Sequence, residues 1–262
     1  MKKQWNRIKY VLGLCVLLLL LYSIGSIFNF IFCIILDIPY DSLAANIAEI
    51  IVHMASFIAV IAVGLKDQKK TFASVCFFKK VSGVVWGAAI LCAIGYALFN
   101  FYFHFLFFSF AGEWNTEMGA IEGGFFFNLI NLALIPAVAE EILFKGLVFT
   151  ILKKYYSTIT AVIIASLMFA VCHFSFLRIV PLFLLSCYTF WLYLRIGNLI
   201  LPMLLHFTNN LLSFVLISEP FAYLGTFYAA LALFVIGSYF LYKYSKAEQK
   251  AGNHKPPNKV LK

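Results

Sequence analysis

The chain has 262 residues, 63% of them hydrophobic and 12% charged, with a mean hydropathy of +0.94. That leaves too little polar surface to cover a water-soluble globule, so the composition excludes a soluble protein and implies an all-α, polytopic membrane helix bundle. The formal net charge of +9 does not argue for nucleic acid, because the basic residues sit in short clusters between apolar runs and no basic domain stands apart.

In chain order, apolar runs long enough to cross a bilayer extend roughly over Tyr10 to Ile35, Leu43 to Leu65, Val81 to Phe103, Phe125 to Ile151, Thr158 to Phe174, Val180 to Leu194, Leu199 to Ile217 and Phe221 to Tyr242. About eight transmembrane helices are therefore expected. The first run is too long for a signal-peptide core and no A-x-A-like site follows it, which predicts a retained helix. Segments Lys2 to Lys9, Lys66 to Lys80, Lys153 with Lys154, Arg195, and Lys243 to Lys262 hold 18 of the 20 Lys and Arg residues. Eight spans put all of these on one side, and positive residues are retained in the cytoplasm, so both termini are expected there. The opposite side keeps Arg178 with Asp37, Asp41, Glu113, Glu117, Glu122 and Glu219. The loop from Phe105 to Gly123 is expected at the outer interface, with its aromatics in the headgroups. Residues 1–245 read as a single transmembrane domain, and 246–262 as a disordered, basic cytoplasmic tail. The six cysteines show no C-x-x-C spacing and read as small hydrophobes rather than a disulfide framework or zinc ribbon.

Ionisable groups inside spans cost several kcal/mol unless paired or hydrated, so each is a candidate for function. They concentrate in the second half. Glu140 and Glu141 stand near the middle of the fourth span, about 100° apart around the helix, so they face different neighbours. Glu141 and Lys145 are four apart in the favourable order and can neutralise one another, which leaves Glu140 to face something else. The fifth span ends at His173, and the seventh carries His206 and Asn210, four apart on one face. Counted from the basic edge, Glu140 and His173 lie at comparable depth, roughly 20 Å in; His206 is shallower unless the loop near Pro202 dips inward. A lone histidine on such a helix is ordinarily a hydrogen-bonded core residue. Glu, His, His and Asn on three spans together carry the argument for a site.

This set contains what water-mediated peptide hydrolysis needs. A carboxylate in a low-dielectric setting takes a proton from water readily, and a neighbouring imidazole can orient that water and pass the proton to the leaving amine. A second imidazole and an amide can donate to the tetrahedral oxyanion. Glu140, His173 and His206 could instead hold a divalent metal such as zinc that activates water, and the residues leave both mechanisms open. Glu49 with His53 and Asn100 with His104, each four apart, are expected to make helix contacts rather than a site.

Taken in order on successive spans, Glu140-Glu141-x-x-x-Lys145, Phe169-x-x-x-His173 and His206-x-x-x-Asn210, with Gly197-Asn-Leu-Ile-Leu-Pro202 before the last, resemble the CPBP family. That family comprises type II CAAX prenyl endopeptidases and related bacterial bacteriocin-processing or self-immunity proteins. The resemblance covers about Phe125 to Leu216. It implies an eight-helix membrane bundle in which Glu140 and His173 activate water, His206 and Asn210 form the oxyanion site, and Glu141 with Lys145 supports them. The family's first motif usually reads E-E-x-x-x-R; here Lys145 keeps the charge and loses the guanidinium fork. The reading that follows is a CAAX protease-like intramembrane endopeptidase cutting a peptide or membrane protein near the cytoplasmic half of the bilayer. A non-catalytic immunity or binding protein using the same fold is the alternative, and a transporter is disfavoured because the polar set occupies only one half of the chain. Abundant Phe, Ile, Lys, Tyr and Asn suit an AT-rich bacterial genome, hence a bacterial plasma membrane and a secreted peptide or leader rather than a prenylated substrate.

Overall fold

The structure, a computed structural model, describes residues 2–39, 42–111, 125–175, 178–215 and 224–250. Among these residues the chain is all-α, apart from one isolated antiparallel bridge between Phe78 and Asn198. The helices are α1 (Lys2–Ile35), α2 (Leu43–Asp67), the single turn α3 (Phe72–Val75) and α4 (Gly83–Ala111). A composite span follows: α5 (Phe125–Asn128), a π-helical stretch Leu129–Leu134, α6 (Ile135–Glu141), a second π-helical stretch Ile142–Val148, and α7 (Phe149–Lys153). Then come α8 (Thr158–Val171), α9 (Ile179–Ile196), α10 (Ile200–Val215) and α11 (Leu224–Lys250).

Among the described residues, five helices are long and apolar enough to cross a membrane: α1, α2, α4, α9 and α11. The composite span, α8 and α10 are three further helical segments, at places where apolar runs were read, so the all-α polytopic bundle is as expected. Several ends differ from expectation. Helix α4 runs on through Ala111, past the Phe105 at which a loop was anticipated, and α11 continues to Lys250, five residues into the anticipated tail. Residues 112–124 of the outer loop and 251–262 of the tail lie outside the described residues. Helix α8 stops at Val171, so His173 stands in the turn beyond it.

Local chemistry accounts for the element ends. The Ser42 and Ser157 side chains accept from Ala45 N and Thr160 N and so cap α2 and α8. Gly197, at φ 77°, closes α9 in the left-handed conformation that glycine adopts without strain. Asn198 then opens α10: its Oδ1 accepts from Ile200 N at 2.8 Å and Leu201 N at 3.3 Å. The composite span is widened where Pro136 enters, since proline lacks an N–H and its ring crowds the carbonyl four residues back.

Helix α4 packs chiefly on α11 and α10, α1 on α2, and α8 on α9, with the composite span between α2, α8 and α10. The α4–α11 contact is close because glycines line it. A Cβ on Gly95 would meet Phe234 N at 2.5 Å and Ala230 O at 2.7 Å, and one on Gly237 would meet Ala88 O at 2.7 Å. Phe127, Ala137 and Leu143 to Leu152 of the composite span are buried, with Glu141 and Lys145 among them. The outer helices keep large apolar side chains exposed all along their length, as lipid-facing surfaces do.

Candidate functional site

Glu140 and Glu141 end the regular turn of α6, just before the second π-helical stretch. Glu141 turns inward and is 1% exposed, and its Oε2 lies 2.6 Å from the Lys145 ammonium. Lys145 is itself fully buried, with Nζ 4.7 Å from the Phe190 ring centroid and 5.9 Å from that of Phe169. One carboxylate and two aromatic faces thus surround a charge that could not stand alone in this environment.

Glu141 also fixes a histidine. Its Oε1 lies 3.1 Å from His206 Nδ1 across the α6–α10 contact. Paired with the Lys145 ammonium, the Glu141 carboxylate accepts in that bond, so Nδ1 donates and His206 points Nε2 away from Glu141. Nε2 lies 4.0 Å from Glu140 Oε2. On the other flank, His173 Nδ1 donates to the Phe169 carbonyl at 2.8 Å, the only sense possible because a carbonyl cannot donate. His173 Nε2 then faces Glu140 Oε2 at 3.7 Å. The Phe169 ring sits between the two imidazoles, 4.9 Å from His173 and edge-on to His206 at 5.6 Å.

Three acceptors converge as a result. Glu140 Oε2 is buried and has no hydrogen-bond partner, and the two nitrogens facing it have their N–H on the opposite edge of each ring in the neutral form. Lone pairs aimed at one another require a donor or a cation between them. Separations of 3.7 and 4.0 Å suit a shared water about 2.8 Å from each acceptor, with an angle near 90° at its oxygen. The donor types and the tied Nδ1 atoms also match a histidine-carboxylate metal set. The spacing does not, since the ligand-to-ligand edge of a zinc tetrahedron is about 3.3 Å. Among the described residues no group of three His, Cys, Asp or Glu is arranged to hold a metal ion. As the side chains stand, Glu140, His173 and His206 fit a water better than a metal.

His206 reaches this level because the loop before it is buried. Asn198, Leu199 and Leu201 are at most 3% exposed, covered by the segment after α3: Leu199 N donates to Phe77 O, Lys79 N to Gly197 O, and Asn198 Nδ2 to Lys79 O. The expected shallowness of His206 is thereby removed. Asn210, one turn past His206, is half-buried and is not brought against Glu140; its Oδ1 accepts from Asn209 Nδ2 at 3.4 Å. Asn209, which no motif singled out, is 4% exposed and accepts from Asn100 Nδ2 at 2.9 Å. An amide on α4 is thus linked through a second to the one on α10. His53 stays with the helix contacts, its Nδ1 3.4 Å from Asn131 Oδ1, while Glu49 accepts from Ser26 Oγ at 2.5 Å and Asn29 Nδ2 at 3.1 Å. The side chain of His104 lies outside the described residues.

Residues 122–212 match the Rce1-like family, described as type II CAAX prenyl endopeptidase Rce1-like. No curated protein and no solved structure matches the chain. The matched segment holds the three convergent side chains, Glu140, His173 and His206, and Asn210 as well. Through that segment the chain, whose long apolar helices make it an integral membrane protein, is similar to the type II CAAX prenyl endopeptidases of the Rce1-like family.

Proposed function

We propose that the chain is an intramembrane endopeptidase that cuts a membrane-associated peptide or protein with a water held between Glu140 and His173. The observation that carries this reading is the unpartnered, buried Glu140 Oε2 facing two imidazole nitrogens at 3.7 and 4.0 Å. A water there donates to Glu140 and to His173 Nε2, and keeps its oxygen lone pairs for the scissile carbonyl. Glu140 takes the proton as the carbon–oxygen bond forms. The proton then passes to the departing amine, directly or through His173 Nε2, while the carbonyl electrons collect on the oxyanion. Asn210, its Oδ1 occupied by Asn209, has its amide N–H groups left for that oxyanion. His206 Nε2 joins them only when both its ring nitrogens carry hydrogen. Glu141 and Lys145 do not touch the substrate; they hold His206.

The alternative the sequence leaves open, a divalent metal held by Glu140, His173 and His206 that would polarise the water, requires these side chains to draw closer together than they stand. Given the composition, the substrate class we favour is a secreted peptide or its leader in a bacterial plasma membrane, with both termini of the protease in the cytoplasm.

The reading is tested in proteoliposomes carrying candidate peptides, with wild type, Glu140→Gln and His173→Ala compared. Cleavage is expected to fall by roughly 10²- to 10⁴-fold in each variant. Equal cleavage by all three would remove the site, and a cellular immunity phenotype surviving Glu140→Gln would make the protein a non-catalytic binder. A chelator arm, read by loss of cleavage and its return with zinc, separates the metal from the metal-free route.

A further inference from the structure

One end of the bundle draws cations from three separate stretches of chain to one corner. Arg7, near the start of α1, donates from Nη2 to the Tyr155 hydroxyl at 3.1 Å, and its guanidinium lies 5.0 Å from that ring's centroid. Lys154, beside Tyr155 at the end of α7, donates from Nζ to Gln68 Oε1 at 3.1 Å. Gln68 caps the C-terminus of α2, two residues before Lys70. Burial, together with the charges of Lys70 and Arg7 nearby, holds the Lys154 ammonium below the ordinary lysine range.

Those charges oppose one another with little compensation. Among the described residues no carboxylate forms an ion pair with Arg7, Lys70 or Lys154. Asp67, the one acid on these three stretches, accepts from the Tyr10 hydroxyl at 2.9 Å. Retaining positive charge on one side of a membrane requires only that cations be present there; it does not require them to converge from three elements onto a hydroxyl and an amide. Convergence of unpaired cations in a fixed frame is the arrangement that an anion completes.

The level of the cluster identifies the anion. It lies where the apolar faces of α1 and α2 give way to polar residues, at the level of Trp5 along α1, which is 56% exposed and has the Lys9 ammonium 5.5 Å from its ring centroid. Exposed tryptophan and tyrosine with basic neighbours mark the headgroup zone, where the abundant anion is a lipid phosphate. We propose that Arg7, Lys70 and Lys154, framed by Tyr155 and Gln68, bind the phosphate of an anionic phospholipid headgroup. The bound lipid ties α1 and α2 to the end of the span that carries Glu140.

The test is native mass spectrometry of the full chain in neutral detergent with equimolar phosphatidylglycerol and phosphatidylcholine of identical acyl chains. Wild type retains phosphatidylglycerol in preference. Combined Arg7→Gln, Lys70→Gln and Lys154→Gln lowers that preference about fivefold per charge removed, whereas Lys243→Gln, Lys246→Gln and Lys250→Gln on α11, the same loss of net charge, leaves it in place. Lys70→Gln alone, which breaks neither the Arg7 nor the Lys154 hydrogen bond, gives about a fivefold loss and keeps the test valid if the triple variant does not fold. Equal retention of both lipids by wild type, equal losses in the two triple variants, or displacement of the lipid by equimolar inorganic phosphate would each overturn the assignment.

Discussion

Lys145 is a full positive charge with no exposed surface, and its partners explain both its presence and its risk. It compensates Glu141, which in turn sets the tautomer of His206, so a change at 145 acts on the site without touching substrate. Lys145→Met leaves a buried carboxylate unpaired and is expected to destabilise the fold by about 3–5 kcal/mol, measured by thermal unfolding in detergent. Glu140→Gln, by contrast, removes an acceptor that has no hydrogen-bond partner and should leave the unfolding temperature near wild type. Similar losses of stability from the two substitutions would mean that Glu140 is a structural member of the ion-pair network. The Glu141–Lys145 pairing was legible from its spacing of four. The role of Phe169 was not: its position appeared only as the start of a motif, and no periodicity shows that one ring separates two imidazoles from different helices. Asn209 escaped for a related reason, because its partner Asn100 is 109 residues away.

At the scale of the element, length and apolar composition placed the helical segments, mostly within a few residues at each end, and five of them are long and apolar enough to cross a membrane. What they could not show was the π-helical winding on either side of α6, since a widened turn leaves hydropathy unchanged and Pro136 was its sole local sign. The burial of the Gly197-Asn198 loop was likewise hidden, because it depends on hydrogen bonds to Phe77 and Lys79, over a hundred residues earlier. Close approach of α4 and α11 rests on positions where no Cβ fits. Gly95→Leu should force the two backbones apart and destabilise by about 1–3 kcal/mol or more, and unfolding at the wild-type temperature would show that α11 can shift without cost.

Across the whole molecule, hydrogen bonds from Arg7 to Tyr155, from Lys154 to Gln68 and from Lys79 to Glu248 bring the start of α1, the ends of α2 and α7, and the end of α11 to one end of the bundle. The charge distribution predicts one side for both termini, because an even number of passes would return the chain to the side where it began. Tags placed at the two termini are therefore expected to be protected or digested together when protease is added to sealed, right-side-out vesicles, and digestion of one alone would break the eight-pass arrangement. Helix α8 has a consequence of another kind. Its 14 residues rise about 21 Å, well short of the roughly 30 Å of hydrocarbon in a typical bilayer, and His173 follows directly on its last turn with its side chain 30% exposed. The proposed hydrolysis among acyl chains needs its second reactant resupplied after each turnover, and a truncated wall would shorten that journey: solvent need descend only past the missing turns to reach the imidazole.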